Sequence, residues 1–191
     1  MDRTELSLRQ RRSVVRLFLS LSLGLLLLVP TTYAQTPPAA STTDRHHPFV
    51  EQAERRYRQY LAAESQGDAA AYKEVRTRQA YEMTMDQLTK MGKPPGDLGP
   101  MLKRVASLQP DVSQLTFVRC DTKTRAARLL YQREGAGPKG PTLEFAAFMI
   151  HWDDGAWRIG WVAQSSGPAT RSSGDERTAD ELLGDPRLAL D

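Results

Sequence analysis

The chain has 191 residues, of which 40% are apolar and 26% charged; this composition excludes a wholly disordered protein. Its formal net charge is +3, but residues 1–34 contain five arginines against two acidic residues. The remainder carries 21 basic and 21 acidic side chains and is neutral. A neutral domain without a basic run does not attract phosphate, so we expect no nucleic-acid partner.

Residues 1–34 have the pattern of an export signal. A basic stretch ends at Arg16, an apolar run occupies residues 17–29, and Pro30 ends that run. We expect cleavage near Ala34-Gln35, which predicts a periplasmic or secreted protein. Thirteen helical residues span about 20 Å, which is less than the ~30 Å hydrocarbon core of a bilayer.

Two alternatives to general secretion stay open. The segment could remain uncleaved as an anchor, and this is the one case in which we expect the chain to contact a membrane. Arg11-Arg12 also loosely resembles a twin-arginine export signal.

Cys120 is the only cysteine, which excludes an internal disulfide and any site with several cysteine ligands. Its thiol could bridge two chains in an oxidising compartment. The alternative, which we favour, is a small buried apolar residue.

The first half of the mature chain predicts a linker and three helices. Residues 35–47 are polar and rich in proline, which is typical of a disordered linker. From Pro48 apolar residues recur at helical spacing: Phe49, Ala53, Tyr57, Tyr60 and Leu61. Asp68 is a good N-cap for a second helix that Gly92 ends, and Pro100 suits the first turn of a third.

The second half predicts four strands. Residues 115–120 and 125–133 alternate between apolar and polar side chains, which indicates a first hairpin. Residues 142–152 and 156–164 flank Asp154-Gly155, a dipeptide that favours a tight two-residue turn.

The turn at Asp154-Gly155 fixes a register for the last two strands. The predicted core-facing pairs are Trp152 with Trp157, Ile150 with Ile159, and Phe148 with Trp161. The predicted outer-face pairs are His151 with Arg158, Met149 with Gly160, Ala147 with Val162, and Phe145 with Gln164. The apolar part of this outer face needs a cover, and a second copy of the chain could supply it.

Residues 165–191 hold three basic and six acidic side chains and no aromatic residue, which predicts a disordered acidic tail. The domain therefore extends over residues 48–164. Its three helices and four strands predict an α+β fold, with the helices packed on one face of a curved antiparallel sheet.

Two motifs and their order resemble the nuclear-transport-factor-2-like (cystatin-like cone) superfamily, in particular its small secreted members of unknown function. They are Tyr60-Leu61-Ala62-Ala63 followed by Gly67-Asp68, and Trp152-Asp153-Asp154-Gly155-Ala156-Trp157-Arg158-Ile159. The resemblance covers residues 48–164. It implies either an isomerase or dehydratase with a pocket under the sheet, or a non-enzymatic binding domain. No acid or base of those enzymes matches a position here, so no catalytic residue is carried over.

Aromatic residues are the candidates for lining an apolar ligand pocket, although a plain packed core explains them as well. The pocket candidates are Tyr72, Tyr81, Phe148, Trp152, Trp157 and Trp161. The candidates for a protein interface on the outer face are Phe145, Met149, His151, Arg158 and Val162.

His151 and Asp153 form the one histidine–carboxylate pair on a defined strand, which could act as an oriented general base. A surface histidine paired with Arg158 across the strands is the alternative that we favour. His46-His47 lie in the predicted linker without a preformed geometry, so the sequence predicts no metal and no cofactor.

Three functions are therefore open. The first is an exported, non-enzymatic domain that binds an unknown protein through its cavity mouth or outer sheet face. The second is an enzyme or carrier for an apolar small molecule, which requires a cavity; a buried ionisable residue in that cavity favours catalysis. The third is a membrane-tethered component of an envelope assembly.

Overall fold

The computed structural model describes residues 37–38, 40–137, 140–168 and 188–190. The predicted signal peptide at residues 1–34 lies outside them and stays a prediction. Within the described part of the chain, no helix is both long and apolar enough to cross a membrane.

The α+β class is confirmed, and the described residues form four α-helices and five strands where the sequence predicts three and four. The helices are α1 Pro48–Gln66, α2 Ala69–Val75, α3 Arg78–Lys90 and α4 Leu98–Ala106. The strands are β1 Ser41–Thr42, β2 Thr116–Lys123, β3 Ala126–Gly137, β4 Gly140–Asp153 and β5 Ala156–Pro168. Each strand pairs antiparallel with the next, so the described sheet has the order β1-β2-β3-β4-β5.

The predicted second helix is interrupted at Arg76-Thr77, which separates α2 from α3. The backbone of Arg76 is extended, and the Thr77 amide donates to the carbonyl of Ile159 on β5 at 3.0 Å. The Thr77 hydroxyl then accepts from the Ala80 amide and caps α3. The prediction of one continuous helix is wrong because this contact with the sheet replaces the helical hydrogen bonds there.

The prediction of a linker wholly without structure over residues 35–47 is also wrong. Ser41 and Thr42 pair with Asp121 and Cys120, so this segment adds the fifth strand. A bare β2 would present unpaired amides and carbonyls at the sheet edge, and β1 covers part of that edge.

The predicted turn at Asp154-Gly155 is confirmed. Both residues have positive φ angles, 48° and 76°, as a two-residue hairpin turn requires. The predicted pairs Trp152–Trp157, His151–Arg158 and Ile150–Ile159 are present.

Beyond Ile159 the predicted register is wrong, because β5 contains one extra residue at Gly160. Met149 pairs with Trp161 and Phe148 with Val162. Trp161 therefore packs on the outer face, and Val162 packs against the main core, which reverses both predictions. The predicted pairs Phe148–Trp161, Met149–Gly160, Ala147–Val162 and Phe145–Gln164 do not form. A Cβ atom at position 160 would lie 2.5 Å from the His151 ring, so glycine permits the bulge there.

The main core lies between the helices and the inner face of the sheet. Phe148 stacks on Tyr57 with ring centroids 4.5 Å apart, and the Trp157 ring meets the edge of Phe49 at 5.0 Å. The favoured prediction for Cys120 is confirmed, since this thiol is buried beside Asp121. Burial, with a smaller effect of Asp121, raises the pKa of Cys120 to about 12.

The outer face of the sheet is covered by residues 188–190, the C-terminal segment of the described chain. Leu188 is 0% exposed and packs in a cluster with Ala126, Leu130, Ala147 and Met149. The Leu188 carbonyl accepts a hydrogen bond from Arg128 at 3.3 Å. The prediction of a disordered tail is thus wrong at residues 165–168, which belong to β5, and at Leu188.

Candidate functional site

A cavity of about 240 Å³ lies between the helices and β5. Its walls come from all four helices, the segment after α4 and the middle of β5. Its polar lining consists of Tyr60, Glu64, Tyr72, Arg76, Thr84, Gln87 and Gln109. Its larger apolar lining residues are Met83, Met101, Leu102, Val105, Trp161 and Val162. The cavity therefore joins an apolar space to a set of hydrogen-bonding groups.

Glu64 is the buried acid of this cavity. It lies one turn after Tyr60 on α1, so the helix directs both side chains to the same side. Glu64 is 2% exposed, and its Oε2 atom has no hydrogen-bond partner in the described structure. Burial raises the pKa of Glu64, and contacts with Tyr60, Arg76 and Gln109 oppose that shift. Glu64 thus retains its proton at a higher pH than an ordinary glutamate and can donate it.

We expect Glu64→Gln to raise the free energy of unfolding by about 1 kcal/mol at pH 8, with a smaller gain at pH 4. The folded chain holds this proton more tightly than the unfolded chain does. The free energy of unfolding therefore falls as pH rises from the ordinary pKa of 4.5 to the raised value. Glutamine does not titrate, so the Glu64→Gln variant does not lose stability in this way as the pH rises. Urea denaturation at both pH values measures the effect.

Glu54 provides the matched control on the same helix. It is also buried, but it accepts a hydrogen bond from Tyr131 at 3.0 Å and pairs with Arg45 at 3.3 Å. We expect Glu54→Gln to lower stability because it weakens satisfied interactions. A loss of stability for Glu64→Gln at pH 8 would contradict the assignment of Glu64 as a buried acid whose contacts only partly compensate its burial.

Two tyrosines supply further hydrogen-bonding groups. The Tyr72 and Thr84 hydroxyls lie 3.2 Å apart, and the Tyr60 and Tyr72 ring centroids are 5.9 Å apart. Burial raises the pKa of Tyr60 well above its ordinary value; Arg76 opposes this shift, and Glu64 adds to it through its charge and a hydrogen bond. The Tyr60 hydroxyl therefore stays protonated across the physiological range and interacts with the Glu64 carboxyl.

Arg76 places a guanidinium in the same cavity. Its amide donates to the Tyr72 carbonyl at 3.1 Å, and its backbone forms a bridge with Ile159. The residue is 6% exposed, and its guanidinium carbon lies 5.3 Å from the Tyr60 ring centroid and 5.6 Å from that of Tyr72. Arg76 is thus fixed by α2, β5 and two aromatic rings.

The predicted pocket residues do not form one site. Tyr72 and Trp161 line the cavity. Tyr81 and Trp152 line two other pockets, of about 630 and 760 Å³, and Phe148 and Trp157 belong to the packed core. The aromatic inner face therefore serves mainly as core, as the plainer interpretation predicts.

The side chains of His151 and Asp153 have different contacts and do not form the predicted histidine–carboxylate pair. The Asp153 carboxylate accepts from the Arg78 amide at 2.7 Å, at the start of α3, while the His151 ring lies over Gly160. Burial lowers the pKa of His151, and Asp153 opposes the shift. His151 lies opposite Arg158 on β5, as predicted, but it is half-buried and not a surface residue.

The histidines of the predicted linker have structural partners. The His47 Nδ1 atom accepts from the Phe49 amide at 3.2 Å and caps α1, and His46 lies 3.7 Å from Glu51. In the ranges that the structure describes, no cluster of three or more histidine, cysteine or acidic residues is placed to hold a metal ion.

Sequence reasoning missed Glu64 and Arg76, although each left a signal. Glu64 falls on the stripe of Phe49, Tyr57 and Tyr60, where a carboxylate is unexpected. Arg76 begins the polar stretch that weakens the predicted second helix. A charged residue on an apolar stripe is a candidate site residue.

Comparisons with known proteins leave the family open. No protein-family model matches the sequence, and no curated protein is significantly similar to it. A solved structure from Streptomyces avermitilis, described as a dehydratase of the NTF2-like family, matches 64% of this chain and 97% of its own length. The identity is 11% and the TM-score 0.32, which is too low to assign a fold or an activity to this chain.

Proposed function

We propose that the chain binds a small molecule in the cavity between its helices and β5. The observation that carries the proposal is Glu64, a buried acid with an unpartnered oxygen beside an open space of about 240 Å³. A buried polar group without a partner costs about 1–3 kcal/mol. A bound ligand that meets this oxygen would remove the cost.

The cavity volume limits the part of a ligand that the protein can bury. Sites for drug-sized molecules usually occupy ~300–1,000 Å³, while a dry cavity of ~150 Å³ accommodates benzene. The space of about 240 Å³ opens to solvent, since its lining residue Met83 is 42% exposed, so it accommodates a single ring or a short branched chain as the buried part of a ligand.

The first hypothesis, protein binding through the outer sheet face, has less support than the cavity. Leu188 occupies the middle of that face, so its apolar residues are covered in the described structure. The function that we favour is thus the second of the three that the sequence left open.

An acid–base enzyme is a second candidate function, and the raised pKa of Glu64 favours it. A carboxyl group that keeps its proton to a higher pH than an ordinary glutamate is better able to protonate a bound carbonyl or leaving group. Carbon-13 NMR of glutamate carboxyls across pH tests this: a Glu64 pKa at or below 4.5 would remove the candidate while leaving ligand binding intact.

Benzene titration of the full chain, labelled with carbon-13 at its methionine methyl groups, tests cavity binding. Met83 and Met101 line the cavity, whereas Met149 is buried on the outer face. We expect saturable shifts of the Met101 and Met83 signals and an unchanged Met149 signal.

Val105→Phe is the control variant, because Val105 lines the cavity and a larger side chain fills it. We expect the NMR spectrum of Val105→Phe to be that of a folded protein, and we expect benzene no longer to shift its Met101 methyl signal. Absence of saturable shifts in the unmodified chain, or equal shifts in the filled variant, would refute cavity binding.

A further inference from the structure

We propose that Arg76 forms a carboxylate-binding subsite in this cavity, so that the ligand is a small apolar molecule with one carboxylate group. The inference rests on the proposed function and names its ligand class. It starts from a guanidinium that is 6% exposed and lines the cavity.

Arg76 has donor capacity left over. Its Nε atom is buried and has no hydrogen-bond partner in the described residues. None of the ion pairs found among those residues includes Arg76. The charge of Arg76 acts on the Glu64 carboxyl, but no ion pair among the described residues compensates it, and an anionic ligand group would do so.

The aromatic neighbours leave the hydrogen-bonding edge of Arg76 available. Tyr60 and Tyr72 hold the guanidinium by cation–π contacts at 5.3 and 5.6 Å. These contacts use the π-system of each ring and none of the N–H donors. The donors of a guanidinium lie in its plane, in a fork that matches the two oxygens of a carboxylate.

Nearby carboxylates of the chain are already engaged. On the groove that adjoins Arg76, the Asp153 carboxylate accepts from the Arg78 amide and Glu82 pairs with the Arg78 side chain at 2.8 Å. Asp154 lies 3.8 Å from Arg158. Burial raises the pKa of Glu64 inside the cavity, and the charge of Arg76 is among the contacts that oppose this shift. The cavity therefore presents the guanidinium of Arg76 as its positive group, and the free Nε donor of that group suits an anion.

The remaining walls define the other part of the ligand. Met101, Leu102, Val105 and Val162 provide apolar contacts, and the volume of about 240 Å³ admits a single ring. Benzoate combines such a ring with one carboxylate. Benzamide has nearly the same shape without the charge, so the pair isolates the contribution of charge.

Titration of the full chain with benzoate and with benzamide, followed by the Met101 methyl signal, tests the subsite. We expect benzoate to bind at least tenfold more tightly than benzamide, since a charge-assisted bidentate pair forms only with the carboxylate. We expect Arg76→Met to reduce that preference to less than twofold, while both probes still shift Met101.

Arg78→Met is the matched control, because the Arg78 side chain is 85% exposed and lies at the neighbouring groove. It should keep the benzoate preference. Arg76→Lys retains the positive charge without the planar fork, and we expect an intermediate preference with a folded spectrum.

The outcomes separate this inference from the proposed function. Equal binding of benzoate and benzamide by the unmodified chain, or a preference retained in Arg76→Met, overturns the carboxylate subsite. Benzene binding without benzoate binding also overturns the subsite and leaves the cavity function standing. Failure of benzene itself to bind refutes the cavity function.

Discussion

Phe148→Ala is expected to lower the free energy of unfolding by about 3–5 kcal/mol, the usual cost of removing a buried aromatic ring. Phe148 is 1% exposed, and its ring stacks on Tyr57 at 4.5 Å and Tyr131 at 5.8 Å. These contacts join α1 to strands β3 and β4. Alanine would leave a cavity lined by two aromatic rings that cannot move together without displacing the helix.

Phe145→Ala is the matched control, because Phe145 lies on the same strand but is half-buried on the outer face. We expect it to cost less than half as much as Phe148→Ala. Urea denaturation of both variants, followed by tryptophan fluorescence, measures the difference. An equal cost for the two variants would contradict the assignment of the inner face as the main core.

The closing hairpin was predictable because its determinants are local. Asp154-Gly155 accepts the positive φ angles of the turn, and alternation then fixes the pairs nearest to it. The bulge at Gly160 was not predicted because strict alternation was assumed beyond Ile159. A glycine within a strand is a recognised sign of a bulge, and here it meets the His151 ring on the neighbouring strand.

The candidate site was less predictable than the fold. The helical stripe of α1 was identified from Tyr57 and Tyr60, and continuing it by one turn reaches Glu64. The burial of Arg76, however, depends on its bridge to Ile159, which is distant in sequence. The polar stretch that begins at Arg76 marks a weak point of the predicted helix, but it does not show that this arginine is buried.

The sequence predicts that the apolar outer face needs a cover, but it does not predict that Leu188 and Leu190 provide that cover. Alternation in β4 predicted that Phe145, Ala147 and Met149 face away from the main core. The acidic composition of residues 165–191 hid Leu188 and Leu190, because composition averages over the whole segment. Two apolar residues near the end of a polar tail are enough to seal a small patch.

Leu188→Asp is expected to release the C-terminal segment from the outer face. Leu188 is 0% exposed, and full burial of a leucine stabilises a protein by about 2 kcal/mol relative to exposure. A carboxylate at this position would lie among apolar side chains, and the neighbouring Arg128 already pairs with Asp121, so the segment detaches instead of leaving a cavity. The free energy of unfolding in urea should fall by about 2 kcal/mol.

Release of the segment exposes Ala147 and Met149, together with Leu130 and the Trp161 ring, as one apolar patch. We propose that a second copy of the chain covers this patch, which forms a homodimer through the outer face. Light scattering across protein concentration should therefore show association of Leu188→Asp at concentrations where the unmodified chain has a lower average mass.

Leu190→Asp is the control, because Leu190 packs against the same cluster but is only half-buried. It should cost less stability than Leu188→Asp and cause weaker association. A Leu188→Asp chain with unchanged stability would show that the segment does not seal the face. Reduced stability without any gain in mass would remove the homodimer, because the exposed patch would then attract no second copy.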